Sequence, residues 1–261
     1  MTTGFFLTAR LGSSRLPRKH LLEANGQALL EVLAKRIVRA FEAEFSNGRA
    51  KLVIVASDEQ ENRELERLAS SGAEVFYGSK QNIPLRHLQA AQALGLDAIV
   101  AVDGDDILCS TDAMRAVHGG LLRGEDYANT SGLPFGMNAF GYSIGFLQRS
   151  LRGNERKTLE TGWGCIFDPE KLATCRMKLR GAIPESLRFT LDYPEDYAFF
   201  RAITEHFGEG ILSATDQEIV DYVVAKHLSE ITAPIAEKYW EDFRTTRDRE
   251  SGRAAVGGNA N

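Results

Sequence analysis

Cysteine is scarce and irregular in this chain: Cys109, Cys165 and Cys175 are its three, and no CxxC spacing occurs. That excludes a disulfide framework and a zinc ribbon, and a reducing compartment is the default. No stretch approaches the run of about 18 apolar residues that a membrane-spanning helix needs. The first residues also lack a signal-peptide pattern, so a cytoplasmic protein with no membrane partner is expected. A basic excess is missing too. Lys and Arg number 31 against 36 Asp and Glu, a net charge of −5, which argues against general nucleic-acid binding. Proline is sparse at 7, against 24 glycines. What remains is an ordinary globular make-up, 261 residues with 43% hydrophobic and 26% charged. A fold of this length can bury roughly 70–75% of its extended surface, enough for a large core without covalent staples.

The order of apolar runs suggests the architecture. Gly4 to Ala9 is a short apolar run ending in a polar, basic loop from Arg10 to Lys19. Leu29, Leu30, Leu33, Ile37, Phe41 and Phe45 then recur in helical steps. Leu52–Ala56 and Asp97–Val102 read as fully buried strands, and Ala73–Tyr77 as a shorter one. Ser57 and Asp58 can cap a polar helix to about Ser70, and Leu85–Leu94 reads as a further helix. Strand and helix alternate through the first hundred residues, which predicts an α/β fold: an open, mostly parallel sheet with helices on both faces. Residues 129–175 are Gly-rich and aromatic, with poor periodicity, and read as a small β-rich insert that covers the site or forms a subunit contact. Leu187–Leu191 is expected as a strand ending at Asp192, and Pro194 opens a helix to Phe207. One more helix spans about Asp216–His227. Residues 1–230 form the main domain in this reading; 231–261 give a terminal helix and, after Asp248, a frayed tail.

Ligands of such sheets bind beyond the carboxyl ends of the strands. Two loops there carry charge of opposite sign. Residues 10–19 hold Arg10, Arg15, Arg18 and Lys19 with Ser13, Ser14 and Gly12, chemistry suited to a triphosphate. The loop is neither a Walker A sequence nor a GxGxxG fingerprint, and a solvated basic turn is the plainer alternative. Asp103, Asp105 and Asp106 follow one strand and Asp192 ends another. Each alone suits helix or turn capping. Delivered to one sheet edge, they could share a hard cation such as Mg²⁺. His20, His87, His118, His206 and His227 are scattered and read as structural or surface residues. Tyr239, Trp240 and Phe243 read as a helix docking on the core rather than a base-stacking platform.

Three blocks, Ala9–Lys19, Gly104-Asp105-Asp106 and Arg188–Asp196, resemble the signature segments of sugar cytidylyltransferases. The chain looks most like the spore-coat polysaccharide biosynthesis protein F group, relatives of the CMP-Kdo and CMP-sialic acid synthetases. The likeness covers about residues 4–207. It implies a GT-A-like nucleotidyltransferase that joins CTP to an acidic or phosphorylated sugar and releases pyrophosphate with Mg²⁺. Arg10, Arg15, Lys19 and Asp105 would then be catalytic. Ala9, Leu11, Gly12, Ser13 and Ser14 would contact the nucleotide, with Asp103 beside them. Ala56, Ser57 and Arg86 would line the cytidine pocket, and Asp105 and Asp192 would hold the metal. A homodimer is implied, pairing through the 129–165 region.

The chain departs from the family pattern at Arg18, Leu85 and Ile107, and most in Pro134–Phe140, where Phe135, Asn138 and Phe140 replace acidic residues. Other readings therefore stay open: a pyrophosphorylase for a sugar 1-phosphate, a cytidylyltransferase for a phosphonate or other small acid, or a non-catalytic nucleotide-binding protein.

Overall fold

Segments built around short unbroken apolar runs form the middle of the sheet. In the computed structural model, which describes residues 1–167 and 173–250, these are β1 (Thr3–Ala9), β4 (Ala50–Ser57) and β6 (Ala98–Asp103). Between β1 and β4 lie a small hairpin, β2 (Glu23–Ala24) and β3 (Gln27–Ala28), and the helices α1 (Leu29–Ala40) and α2 (Glu42–Ser46). Then come β5 (Glu74–Gly78), α3 (Ile83–Leu94), α4 (Thr111–Leu122), β7 (Tyr127–Ser131), β8 (Phe140–Ser143) and α5 (Ile144–Leu151). β9 (Ala173–Arg176), α6 (Pro194–Phe207), α7 (Asp216–Ala225), α8 (Ser229–Thr232) and α9 (Ala236–Glu250) complete the order.

The sheet runs β5-β4-β1-β6-β8-β7-β9. β5, β4, β1 and β6 are mutually parallel, with Leu7 level with Ile54 on one side and Val102 on the other. Successive side chains of a strand point to opposite faces, so both faces carry a core. Phe5, Leu7, Ile54 and Val100 pack under α1, α4, α6 and α7. Phe6, Val53, Val55 and Ile99 pack under α3 and α5. The α/β sheet with helices on both faces is therefore as expected. No described helix is long and apolar enough to cross a membrane.

Four details differ from the sequence reading. The insert is not only strands. β8 enters the sheet antiparallel between β6 and β7, and α5 follows directly, capped by the Ser143 hydroxyl. Its aromatics Tyr142, Phe146 and Trp163 are buried in the second core. Gln60–Ser71 is a 3-10 segment rather than an α-helix; Ser57 ends β4 and donates its hydroxyl to Glu59 instead of capping. Leu187–Leu191 is extended but joins no ladder. Its amides instead bond across the strand ends, Phe189 to the Phe135 carbonyl (2.7 Å) and Leu191 to the Asp105 carbonyl (2.9 Å). That lays the segment over the site and delivers Asp192 to it. Finally, α9 continues through Glu250, past the start assigned to the tail; residues 251–261 lie outside the described residues.

Gly136 carries this crossing. Its φ is +85°, and a Cβ there would stand 2.2 Å from the Phe189 carbonyl oxygen, so neither the backbone angle nor the space admits a side chain. Gly136→Ala should lower stability by about 3 kcal/mol, as strain at a left-handed position combined with a backbone clash does. A urea unfolding curve with an unchanged midpoint would contradict that account.

Candidate active site

β1 ends at Ala9 and β6 at Asp103, side by side, because Thr8 pairs with Asp103. The two chains leave the sheet in contact. Gly104 donates its N–H to the Thr8 carbonyl at 2.8 Å, and a Cβ at Gly104 would stand 2.8 Å from that oxygen. The basic loop then folds back over the strand ends. Leu11 is buried, and its N–H is received by Asn62 Oδ1 at 2.8 Å. Asn62 is itself fully buried and donates to the Ser57 carbonyl and hydroxyl. Inside the loop, the Arg18 N–H returns to the Leu11 carbonyl, and Ser13 Oγ accepts from the Leu16 N–H. A 3-10 turn, Lys19–Leu21, follows and turns Lys19 inward.

Lys19 is 7% exposed. Its ammonium donates to Asp105 Oδ2 at 2.6 Å and to Asp192 Oδ1 at 3.0 Å. Burial alone would favour loss of the proton, but the two carboxylates outweigh it and hold the pKa above the ordinary lysine value. Arg15 Nη2 donates to the same Asp192 oxygen at 2.6 Å. Residues far apart in the chain thus meet as one ion cluster at the sheet edge.

Around this cluster the carboxylates differ. Burial would raise the Asp105 pKa, yet Lys19 and the neighbouring His20 hold it below the ordinary value. Asp103 is pushed up to about 7 by burial and by the charge of Asp105, against the Lys19 ammonium and the indole N–H of Trp163, which donates to it. Asp106 is raised well above the ordinary range by burial and by Asp105 and Asp103, with the Thr190 hydroxyl on its carboxylate. Buried His20 faces the Gly104 carbonyl with Nδ1 at 3.1 Å, and burial lowers its pKa to about 4. His87, also buried, links the Thr8 hydroxyl to Tyr142 and stays neutral, its pKa near 3. Both histidines thus sit in the structural place expected of them.

The remaining basic residues divide. Arg10 is half exposed and ion-paired with Glu160, which also lies 3.8 Å from Arg86. Arg86 is buried and donates to the Ser79 and Lys80 carbonyls. Arg18 has φ +57° and pairs with Glu64, so it points away from the cluster. Ala9, Ala56 and Ser57 are buried at the strand ends, with Ala9 level with Ala56. Gly12 and Ser14 lie on the loop, and a Cβ at Gly12 would meet the Glu61 carboxylate at 2.4 Å.

Several positioning residues had no signal in the sequence. Arg188, 2% exposed, is ion-paired with Asp196. Asp196 Oδ2 in turn accepts the N–H groups of Asp192 and Tyr193, each at 2.9 Å. This pair fixes the turn that aims Asp192; both members lie in the Arg188–Asp196 block, but nothing in their spacing says that they touch. Asn62, Glu160 and Trp163 lie in segments with no motif at all. The departures from the family pattern are used for packing. Phe135 contacts the rings of Tyr239 and Trp240, Phe140 packs on Trp163, and the Asn138 amide donates to the Leu133 and Pro134 carbonyls.

The raised Asp103 pKa makes stability depend on pH. The folded protein holds that proton up to about pH 7, whereas an unfolded aspartate loses it near 3.8. Folded chains therefore bind more protons across that window, and this group's contribution to stability falls as pH rises through it. Asp103→Asn should gain in melting temperature relative to the parent between pH 5 and pH 8, and the gain should vanish below about pH 4. A difference that is flat with pH would refute the assignment.

The chain matches the family model described as cytidylyltransferase over residues 5–139, just over half its length. It is 27% identical over 214 residues to the spore coat polysaccharide biosynthesis protein SpsF of Bacillus subtilis, covering 78% of this chain and 87% of that one. Over 120 residues it is 34% identical to 3-deoxy-manno-octulosonate cytidylyltransferase 2 of Hydrogenovibrio crunogenus, 45% of this chain and 46% of the relative. Among solved structures, a cytidylyltransferase from Leptospira borgpetersenii superposes with a TM-score of 0.73 at 20% identity, covering 88% of this chain and 96% of its own. A mostly parallel sheet whose strand ends gather a basic loop and a carboxylate cluster, together with a family match that spans the loop, Asp103, Asp105 and Asp106, makes this chain a nucleotidyltransferase that belongs to the cytidylyltransferase family.

Proposed function

We propose that the chain transfers the cytidylyl group of CTP to an acidic sugar, releasing pyrophosphate, as a step in surface glycan synthesis. The observation that carries this reading is the buried Lys19 ammonium gripped by Asp105 and Asp192 beneath the Arg10–Arg18 loop. Two carboxylate oxygens within 3.0 Å of one cationic atom are already converged on a single point. That convergence suits Mg²⁺, which takes one or two protein carboxylates and leaves its other positions to water and phosphate. Asp105 and Asp192 would hold it. When bound, Mg²⁺ would neutralise charge on the reacting phosphate and lower the pKa of the attacking hydroxyl.

The protein's own groups do the rest by placement and charge. An acceptor hydroxyl gives its proton to water, its oxygen forms the new bond to the α-phosphorus, the bond to the α–β bridging oxygen breaks, and pyrophosphate departs with that oxygen. Lys19, Arg15 and Arg10 stabilise the departing charge. Arg15 and Arg10 are partly exposed, so their guanidinium groups can turn from Asp192 and Glu160 to phosphate oxygens. Gly12, Ser13 and Ser14 offer donors along the same loop, between Ala9 and Leu11 on one side and Asp103 below. Ala56, Ser57 and Arg86 border the cytidine side. The same reading includes a cytoplasmic setting, supported by three free cysteines, and pairing of two copies through the insert. Pairing is supported by the position of β9 at the end of the sheet, bonded to β7 alone among the described strands.

Asp105→Asn and Asp192→Asn should each cut pyrophosphate release from CTP by about 10²-fold or more, the scale of losing one charge-stabilising group, while CTP still binds. Lys19→Ala should weaken CTP binding as well as slow the release. Near-normal turnover in both Asp variants, measured by coupled pyrophosphate detection over a panel of sugar acids, would end this reading.

A further inference from the structure

The family match stops at residue 139, whereas α9 begins at Ala236. Yet α9 reaches the ion cluster by two routes. Along the first, Asp242 Oδ2 accepts the Tyr193 hydroxyl at 2.5 Å. The Arg15 guanidinium, in turn, stands 5.3 Å from the centre of the Tyr193 ring. Lys238, also on α9, lies 5.4 Å from that ring centre. Along the second, Tyr239, 4% exposed, has the Arg188 guanidinium 4.3 Å from its ring centre, and Arg188 holds Asp196 and hence the Asp192 turn. Ile235, Tyr239 and Trp240 pack with Tyr193 as a separate apolar cluster that fastens the helix there.

From these contacts we propose that α9 is a working part of the triphosphate site, with Asp242 and Tyr193 as positioning residues for Arg15. The inference rests on the reading of Arg15 as a triphosphate contact given above. Arg15 sits on a loop and is partly exposed, so without restraint its long side chain would have to be ordered when the substrate binds. Asp192, its nearest partner, is assigned to holding Mg²⁺ and cannot serve both. The hold that persists is the Tyr193 ring. A carboxylate accepting the phenol's hydrogen bond makes the ring more electron-rich and strengthens its attraction for the Arg15 cation. The Asp242–Tyr193–Arg15 chain therefore keeps a cation aimed at the phosphates with its own charge uncommitted.

The test is calorimetric titration of the full-length chain with CTP and Mg²⁺. Asp242→Ala should weaken CTP binding about fivefold to tenfold, the range expected when one coupled polar contact is lost. Asp242→Asn keeps an acceptor oxygen and should recover at least half of that loss, a rescue that mere loosening of the helix would not show. In an Arg15→Ala background the Asp242→Ala change should cost less than about twofold, because its effect runs through Arg15. Melting temperatures of all variants separate loss of fold from loss of aim. An Asp242→Ala chain with unchanged CTP affinity, or with the same loss in both backgrounds, overturns the inference and leaves the functional reading standing. A parent chain that binds no CTP overturns both.

Discussion

A single buried ammonium organises the functional end of this molecule. Lys19 keeps its charge inside the protein because Asp105 and Asp192 touch it, and its ammonium in turn holds the Asp105 pKa below the ordinary value. The three residues come from the loop after β1, the loop after β6 and the turn before α6. Their meeting therefore requires the parallel pairing of β1 and β6, the bare Gly104 that lets the two exits touch, and the crossing of Leu187–Leu191 over the strand ends. Removing any one of these separates Lys19 from its carboxylates and leaves a buried ammonium uncompensated.

The cluster also explains why so much polar machinery lies beneath the surface. Asn62, His20, Arg188 and Asp196 are all buried, and each bonds to a backbone group or a charge that shapes the loops. None faces the open edge. They act as a frame, so the exposed loop can be short of regular structure yet held in one place. Buried polar groups are costly unless paired, and here their pairing is what gives the loops a defined shape.

Phe135, Asn138 and Phe140 gain a meaning in this frame. Where the family pattern has acidic residues, this chain uses two aromatics to pack Trp240 and Trp163 and an amide to tie its own turn. These residues therefore pack against the terminal helix and the insert. Phe135 remains 39% exposed at that junction, an apolar edge beside a charged cluster.

Periodicity and composition alone determined the parallel core of the sheet, the helices on both faces and the turns where charge gathers. Those features are local: a short all-apolar run reads as a doubly covered strand, and a glycine, serine and arginine loop as a polar exit from it. The Ala9–Lys19 and Arg188–Asp196 blocks were legible for the same reason. Tertiary structure alone decided that Lys19 rather than Arg18 turns inward, that Leu187–Leu191 crosses the strand ends instead of joining the sheet, and that Asn62, Glu160, Trp163 and Asp242 serve the site. Those outcomes depend on which charge finds a partner across 86 or 173 residues of chain. Burial makes such a pairing obligatory, but only the closed fold says between whom.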